Sequence, residues 1–280
     1  MSLDTILDLL RCPHCSGRLD RLDRSVRCPT GHTFDIARQG YVNLLGRDPQ
    51  GRHADTAEMI SARDRFLSHG HYRPLADRIA TLAADTAATT IGEFGAGTGY
   101  YLAQVLDRVP AARGLATDVS PYAGRRAARA HDRLGAIVAD TWAGLPIADR
   151  SLDLIMVIFA PRNPAEFARL LRPSGQVLVA AAGPDHLSSI RADLGLLEIE
   201  ADKRQRLLHQ FGDQFRPTHS ETVATTLQLN AADLHDLVAM GPNAHHSGNQ
   251  LAERIAALDP PVEVSCRFDL TLFSRTATTN

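Results

Sequence analysis

Three of the chain's four cysteines, Cys12, Cys15 and Cys28, fall within its first thirty residues, and His32 stands four places after the third. The spacing is C-x2-C-x12-C-x3-H. Three thiols cannot all pair internally, so a disulfide framework does not account for them. A redox pair at Cys12 and Cys15 would want a strand before it and a helix behind it. Tetrahedral zinc takes four thiolate or imidazole ligands, and two short knuckles supply such a set. Pro13, Gly17, Pro29 and Gly31 provide turn chemistry beside them. Zinc is the reading this spacing supports best. His14 is an alternative fourth ligand, but it is wedged inside the first pair, which favours His32. Cys266 stands apart in an alternating apolar run and reads as packed core.

A second constellation is EFGAGTGY, from Glu93 to Tyr100. It follows the apolar run TTIGEF directly and opens a helical pattern, the context in which a glycine turn lets backbone approach a ligand. No Gly-Lys-Ser/Thr follows, so it is not a phosphate-binding Walker loop. Its last gap is too short for the dinucleotide fingerprint. Two acidic residues close later strand-like runs, Asp118 in GLATD and Asp140 in IVAD.

Positioning these groups requires an alternating α/β frame. TTIGEF, RGLATD, GAIVAD, LDLIMVIF and GQVLVAAA are short apolar runs separated by helical stretches such as PAEFARLLR, the mark of a doubly wound parallel sheet. Before them, residues 57–84 carry a helical stripe through Met59, Phe66, Leu75, Ile79 and Leu82, interrupted at HGHYRP. After GPDHL the pattern is helical and polar to about residue 216. ETVATTLQL then reads as a strand and NAADLHDLVAM as a capped helix. VEVSCRFDLTLF closes the chain as an edge-proximal strand, alternating Val262, Val264, Cys266, Phe268, Leu270 and Leu272 on one face. The expected division is a zinc-binding unit over 1–37, a linker and helices over 38–84 with an exposed loop to 56, and the α/β domain over 85–280.

Length allows one large domain with a small appendage. The net charge of −2 argues against nonspecific polyanion binding, although Lys203 is the only lysine among 30 basic residues. Arginine suits bidentate phosphate contacts, yet an Ala- and Arg-rich chain also fits a GC-rich coding sequence. Between 38 and 73, Arg38, Arg47, Arg52, Arg63, Arg65 and Arg73 outnumber the acidic residues slightly. The opening MSLDTILDLL lacks the basic region of an export signal, and no apolar run is long enough to span a bilayer. The expectation is a cytoplasmic protein without a membrane partner.

The glycine motif resembles the first motif of the class I S-adenosylmethionine-dependent methyltransferases. That resemblance implies a Rossmann-like sheet with an antiparallel final strand, and S-adenosylmethionine as cofactor. It implies Gly95, Gly97 and Gly99 beneath the methionine part, Glu93 at its ammonium, Asp118 on the ribose hydroxyls and Asp140 at the adenine. LRPSGQVLVA is similar to the helix-turn-strand step of the same enzymes. Where the fourth strand ends in FAPRN, base-methylating relatives line their target pocket. Phe159 is expected to stack near the base and Pro161 to hold the turn, while no residue declares itself as general base.

GHTFDIARQGYVNLL and DTAEMISARDRFLSHGHYRPL resemble one family more narrowly, the bacterial 23S rRNA guanine-N1 methyltransferases of the RlmA type and their tylosin-resistance branch. The likeness spans essentially the whole chain. It implies Cys12, Cys15, Cys28 and His32 as zinc ligands, and Tyr72, Gly99, Tyr100 and His186 at the cofactor. It further implies methylation of guanine N1 in a hairpin loop of 23S rRNA domain II near the peptide exit tunnel, and a homodimer. One stretch departs from the family: from Met240 to Gly248 the chain reads MGPNAHHSG where relatives carry an aromatic-bearing stretch. Two other readings stand beside this one. A small-molecule methyltransferase acting on the macrolide itself would share the core motifs, and a zinc-bearing RNA-binding protein without activity would share the N-terminal unit. Intact Gly95, Gly97, Gly99 and Asp118 weigh against the second.

Overall fold

The computed structural model describes residues 2–46, 54–198, 202–245 and 250–276. After two short 3-10 turns, strands β1 (Asp20–Leu22), β2 (Ser25–Arg27) and β3 (Thr33–Asp35) form a small antiparallel sheet. Next come β4 (Val42–Asn43) and helices α1 (Ala57–Ser68) and α2 (Arg73–Asp85). The alternating part runs β5 (Thr90–Phe94), α3 (Tyr100–Arg108), β6 (Arg113–Asp118), α4 (Pro121–Ala127), β7 (Leu134–Val138), β8 (Leu152–Ile158), α5 (Pro164–Leu170) and β9 (Leu171–Ala182). It closes with α6 (Ser188–Leu194), α7 (Lys203–Phe211), β10 (Phe215–Leu229), α8 (Ala231–Ala239), α9 (Leu251–Ala257) and β11 (Val262–Arg275).

The large sheet has the order β10-β11-β9-β8-β5-β6-β7-β4. Neighbours from β4 to β9 are parallel, and β11 runs antiparallel to both β9 and β10. The chain therefore reverses its direction of travel across the sheet between β5 and β8, and a crevice opens there at the carboxyl ends of the strands. Both faces are covered, so the inner strands read as continuous apolar runs rather than alternating ones. Phe66, Leu75, Ile79, Leu102 and Phe268 belong to the core on one face, and Phe94, Phe167, Phe211 and Phe273 to that on the other.

Local chemistry sets the boundaries near the crevice. Thr56 caps α1 by accepting the Met59 N–H at 3.3 Å, and Asn230 caps α8 by accepting that of Asp233 at 2.9 Å. Gly70, at φ +79°, breaks the helical stripe between α1 and α2.

Three expectations need correction. The stretch 38–56, read as an exposed linker, contributes β4 to the edge of the main sheet: Val42 is fully buried and Leu44 N–H donates to Val138 O at 2.9 Å. Two residues of strand between glycines are too short to show as a period. The strand read from Glu221 begins at Phe215, because an edge strand with solvent on one face tolerates the polar run RPTHSE. The strand read from Gly175 begins at Leu171, where Leu152 on β8 already pairs with it. The N-terminal unit shares its core with the main domain. Leu3, Ile6, Leu9 and Leu10 pack in one cluster with Leu115, Ile137 and Ile147, and the Asp8 carboxylate accepts from Arg113 Nη1 and Nη2 at 2.7 and 2.8 Å.

Candidate cofactor site and zinc centre

Two tight turns carry the cysteine cluster. In the first, Ser16 N–H donates to Cys12 O at 2.8 Å, and in the second Gly31 N–H donates to Cys28 O at 2.9 Å. They bring Cys12, Cys15 and Cys28 Sγ and His32 Nδ1 within 4.8 Å of one another. The separations are 3.6 Å for Cys15–Cys28, 3.5 Å for Cys12–His32 and 3.4 Å for Cys28–His32. Ligands about 2.0–2.3 Å from zinc span tetrahedral edges of this size, so the donor set fits the metal. Desolvation raises the Cys28 thiol, but hydrogen bonds with Thr30, Cys15 and His32 outweigh it and pull the pKa down to about 5. That favours the thiolate, the form a metal binds. His14 packs against the Phe34 ring at 5.7 Å and lies outside the four-ligand cluster.

The glycine turn sits at the carboxyl end of β5. Gly95 has φ +72°, and a β-carbon there would collide with Ala160 of the turn that follows β8. The two turns thus meet across the crevice with no room for a side chain between them. A β-carbon on Gly97, at φ +53°, would lie 3.0 Å from the Arg63 guanidinium, which crosses the turn from α1. Arg63 pairs with Asp55 at 2.6 Å and donates to Met240 O. Gly99, also at positive φ, precedes the first turn of α3.

Asp118 ends β6 beside this turn. Its Oδ2 accepts Gly97 N–H and its Oδ1 accepts Ser120 N–H, both at 2.9 Å. Burial raises its pKa against these two bonds. Each oxygen keeps a second lone pair, enough for a vicinal diol. One strand further along, Asp140 Oδ1 accepts Trp142 N–H at 2.9 Å and caps a turn that leaves Trp142 exposed.

Glu93 lies beneath the turn, 1% exposed, with Oε2 accepting Leu102 N–H at 3.1 Å. Burial, opposed by that hydrogen bond and reinforced by Asp118, pushes it up to about 8, so the carboxyl is protonated at neutral pH. An ammonium group delivered to this carboxyl would reverse the balance. Binding of S-adenosylhomocysteine at pH 7 should then release close to one proton, read by calorimetry in buffers of different ionisation enthalpy. An enthalpy independent of buffer would separate Glu93 from the ammonium.

Tyr72, Phe159 and His186 converge. Tyr72 is 3% exposed and meets Phe268 edge-on at 4.9 Å, while Phe159 and His186 lie 6.4 and 6.5 Å from it. His186 also packs on Phe268 at 4.9 Å. Burial lowers its pKa to about 4, helped by the charges of Arg191 and Lys203. Its Nδ1 accepts Arg267 N–H at 3.3 Å, which places the remaining proton on Nε2 and makes the ring a donor rather than a base. The turn before Tyr72 is held by His69 and His71, whose ring nitrogens lie 2.7 and 3.3 Å from Asp233 Oδ1.

Phe159 is the outlier. It is 43% exposed and holds φ +55°, a left-handed conformation costly for an aromatic residue. Pro161, two places on, is exposed in the same turn. Tyr100 meets the Tyr101 ring edge-on at 5.2 Å and lines a hollow of about 660 Å³ with α1 and α4. The neighbouring Tyr101 places its ring 6.3 Å from Phe159. Sequence reasoning did not single out Tyr101, and helical periodicity within YYLAQVL is the signal that could have found it. It also missed Arg63 as a neighbour of the glycine turn. Arg47 and Arg52, and residues 246–248 of the divergent stretch, lie outside the described residues.

Comparison with known proteins agrees with both halves of the chain. The RlmA N-terminal zinc ribbon matches residues 10–48, and a methyltransferase domain matches residues 92–179. The latter implies S-adenosylmethionine as methyl donor, and the former a structural zinc. A 23S rRNA (guanine(748)-N(1))-methyltransferase of Streptomyces fradiae is 44% identical over 95% of this chain and 97% of its own length. A Micromonospora griseorubida protein, named provisionally for guanine-N1 methylation of 23S rRNA, is 46% identical over 93% and 95%. A solved chain from the complex of the Haloferax volcanii Trm112 methyltransferase activator aligns with a TM-score of 0.52 at 19% identity, covering 80% of this chain and 99% of that one, and supports the fold alone. With two relatives matching nearly the whole chain at 44% and 46% identity and the RlmA N-terminal zinc ribbon in place, the chain belongs to the RlmA-type 23S rRNA (guanine-N1)-methyltransferases.

Proposed function

We propose that this protein methylates N1 of a guanine in a hairpin loop of 23S rRNA domain II, near the peptide exit tunnel, and so confers resistance to tylosin-type macrolides. The observation that carries the reading is the end-to-end match to the Streptomyces fradiae enzyme. The turn at Phe159 supplies its chemistry: an exposed ring in a strained conformation, next to Ala160, which abuts Gly95 of the glycine turn. Guanine N1 is on the pairing edge, so the base must be unpaired or extruded to react. Phe159 would stack on the extruded base, Pro161 would stiffen the turn, and Tyr72, Tyr101 and Phe268 would back the ring. When bound, S-adenosylmethionine supplies an electrophilic sulfonium methyl, so alignment is the main demand on the protein. Asp118 would hold the ribose, Gly95, Gly97 and Gly99 would admit the methionine part, and Arg63 would meet its carboxylate. Asp140 would border the adenine. Tyr100 would border the cofactor from the first turn of α3. His186 would donate from Nε2, and loss of the N1 proton falls to another acceptor. The N-terminal 1–37 unit would read the RNA, the protein would work in the cytoplasm, and a homodimer would widen the RNA-binding face.

Expression in a tylosin-sensitive bacterium tests the reading. The wild-type gene should raise tolerance, and Phe159→Gly should lower it. Glycine accepts the positive φ, so this variant should keep its thermal midpoint while losing a stacking contact worth about 1–3 kcal/mol, or roughly fivefold to 150-fold in rate. Tolerance unchanged by Phe159→Gly would remove the stacking role.

A further inference from the structure

The turn that presents Phe159 continues into Arg162, whose surroundings are unusual. The Arg162 Nε is buried and has no hydrogen-bond partner among the described residues. Its backbone carbonyl accepts Gln210 Nε2 at 2.8 Å, which ties the turn to α7. Arg162, Lys203 and Arg206 line a hollow of about 460 Å³ against the buried Leu207. Lys203, the chain's one lysine, opens α7 directly after the N-cap Asp202, whose side chain makes no capping hydrogen bond, and no acidic residue lies in the first turn of that helix. Lys203, Arg204 and Arg206 thus crowd the positive end of a helix, where the dipole favours anions.

Gathering cations in a hollow costs solvation and mutual repulsion unless an anion joins them. Burial makes both Arg162 and Lys203 easier to deprotonate, and Arg162 adds its repulsion at Lys203. Asp269 attracts Lys203 and also accepts the Thr222 hydroxyl on Oδ1 at 2.8 Å, whereas burial alone acts on Arg162. Three residues of turn take Phe159 to Arg162, at most about 10 Å of chain, the scale of one nucleotide.

We infer that Arg162 and Lys203 form a phosphodiester subsite that grips the RNA backbone beside the extruded guanine. The guanidinium offers two parallel donors to a phosphate, and the ammonium a mobile point charge. This deepens, and rests on, the rRNA-guanine reading above. The subsite would set the register of the target nucleotide over Phe159, whereas the ring itself holds the base.

The test uses the full-length protein, a 23S domain II hairpin transcript and Lys203→Ala, with Arg162→Lys as a second variant that keeps the charge but loses the fork. RNA affinity is measured against salt. It is measured again on hairpins carrying one uncharged methylphosphonate linkage on either side of the target guanine. Lys203→Ala should weaken binding about tenfold and flatten the log–log salt slope by about 0.7, with unchanged affinity for S-adenosylhomocysteine. One methylphosphonate position should weaken wild type about tenfold and the Lys203→Ala protein far less. If wild type methylates the hairpin but Lys203→Ala keeps the full slope and full methylphosphonate sensitivity, the subsite is wrong and the rRNA reading stands. If wild type does not methylate the hairpin, both fall.

Discussion

Asp118→Ala is expected to lower affinity for S-adenosylhomocysteine by at least about 100-fold. Two charge-assisted hydrogen bonds to the ribose, at roughly 1.5–3 kcal/mol each, would be lost. The structure adds a second cost. Asp118 also holds Gly97 N–H and Ser120 N–H, so its removal leaves two backbone donors unpaired in the turn that must stay rigid. Asp118→Asn keeps one acceptor oxygen and should fall between alanine and wild type. Calorimetry on all three proteins reads the ordering, and unchanged affinity in Asp118→Ala would take this residue out of the site.

Cys28→Ser is expected to remove the zinc and to destabilise far more than the small N-terminal sheet. Structural zinc supplies on the order of 10 kcal/mol to units of this kind. Here the unit is not free-standing. Leu3, Ile6, Leu9 and Leu10 complete the core over Leu115 and Ile137, and β4 closes the edge of the main sheet. Loosening the knuckles should therefore expose apolar surface of the large domain and lower the melting temperature of the whole protein. The same packing makes deletion of residues 1–55 a poor way to isolate RNA reading, since it strips Val42 and Leu44 from the sheet along with the zinc unit. Elemental analysis and calorimetric melting check the point. One retained zinc per chain and an unchanged midpoint in Cys28→Ser would contradict it.

The sheet was legible because its inner strands are buried on both faces and read as apolar runs, and the glycine turn because it sits between a strand and a helix. The cysteine knuckles were legible because spacing alone brings four donors together. What escaped has physical reasons. β4 is too short to show a period, and β10 is an edge strand whose polar face resembles loop. Tyr101 meets Phe159 because helix phase, not residue type, decides direction. Arg63 reaches the glycine turn, and Arg162 and Lys203 share a hollow, only after α1 and α7 have packed; no local pattern encodes such meetings. Phe159 was read from its place after the fourth strand, but its positive φ is visible only in three dimensions.

The most direct test of the central claim is incubation of the protein with labelled S-adenosylmethionine and either an unmodified 23S domain II hairpin or free tylosin. Label should enter the RNA, and reverse transcription should stop at one loop guanine, because a methyl on N1 blocks pairing. Label transferred to tylosin, with the hairpin left unmodified, would contradict it.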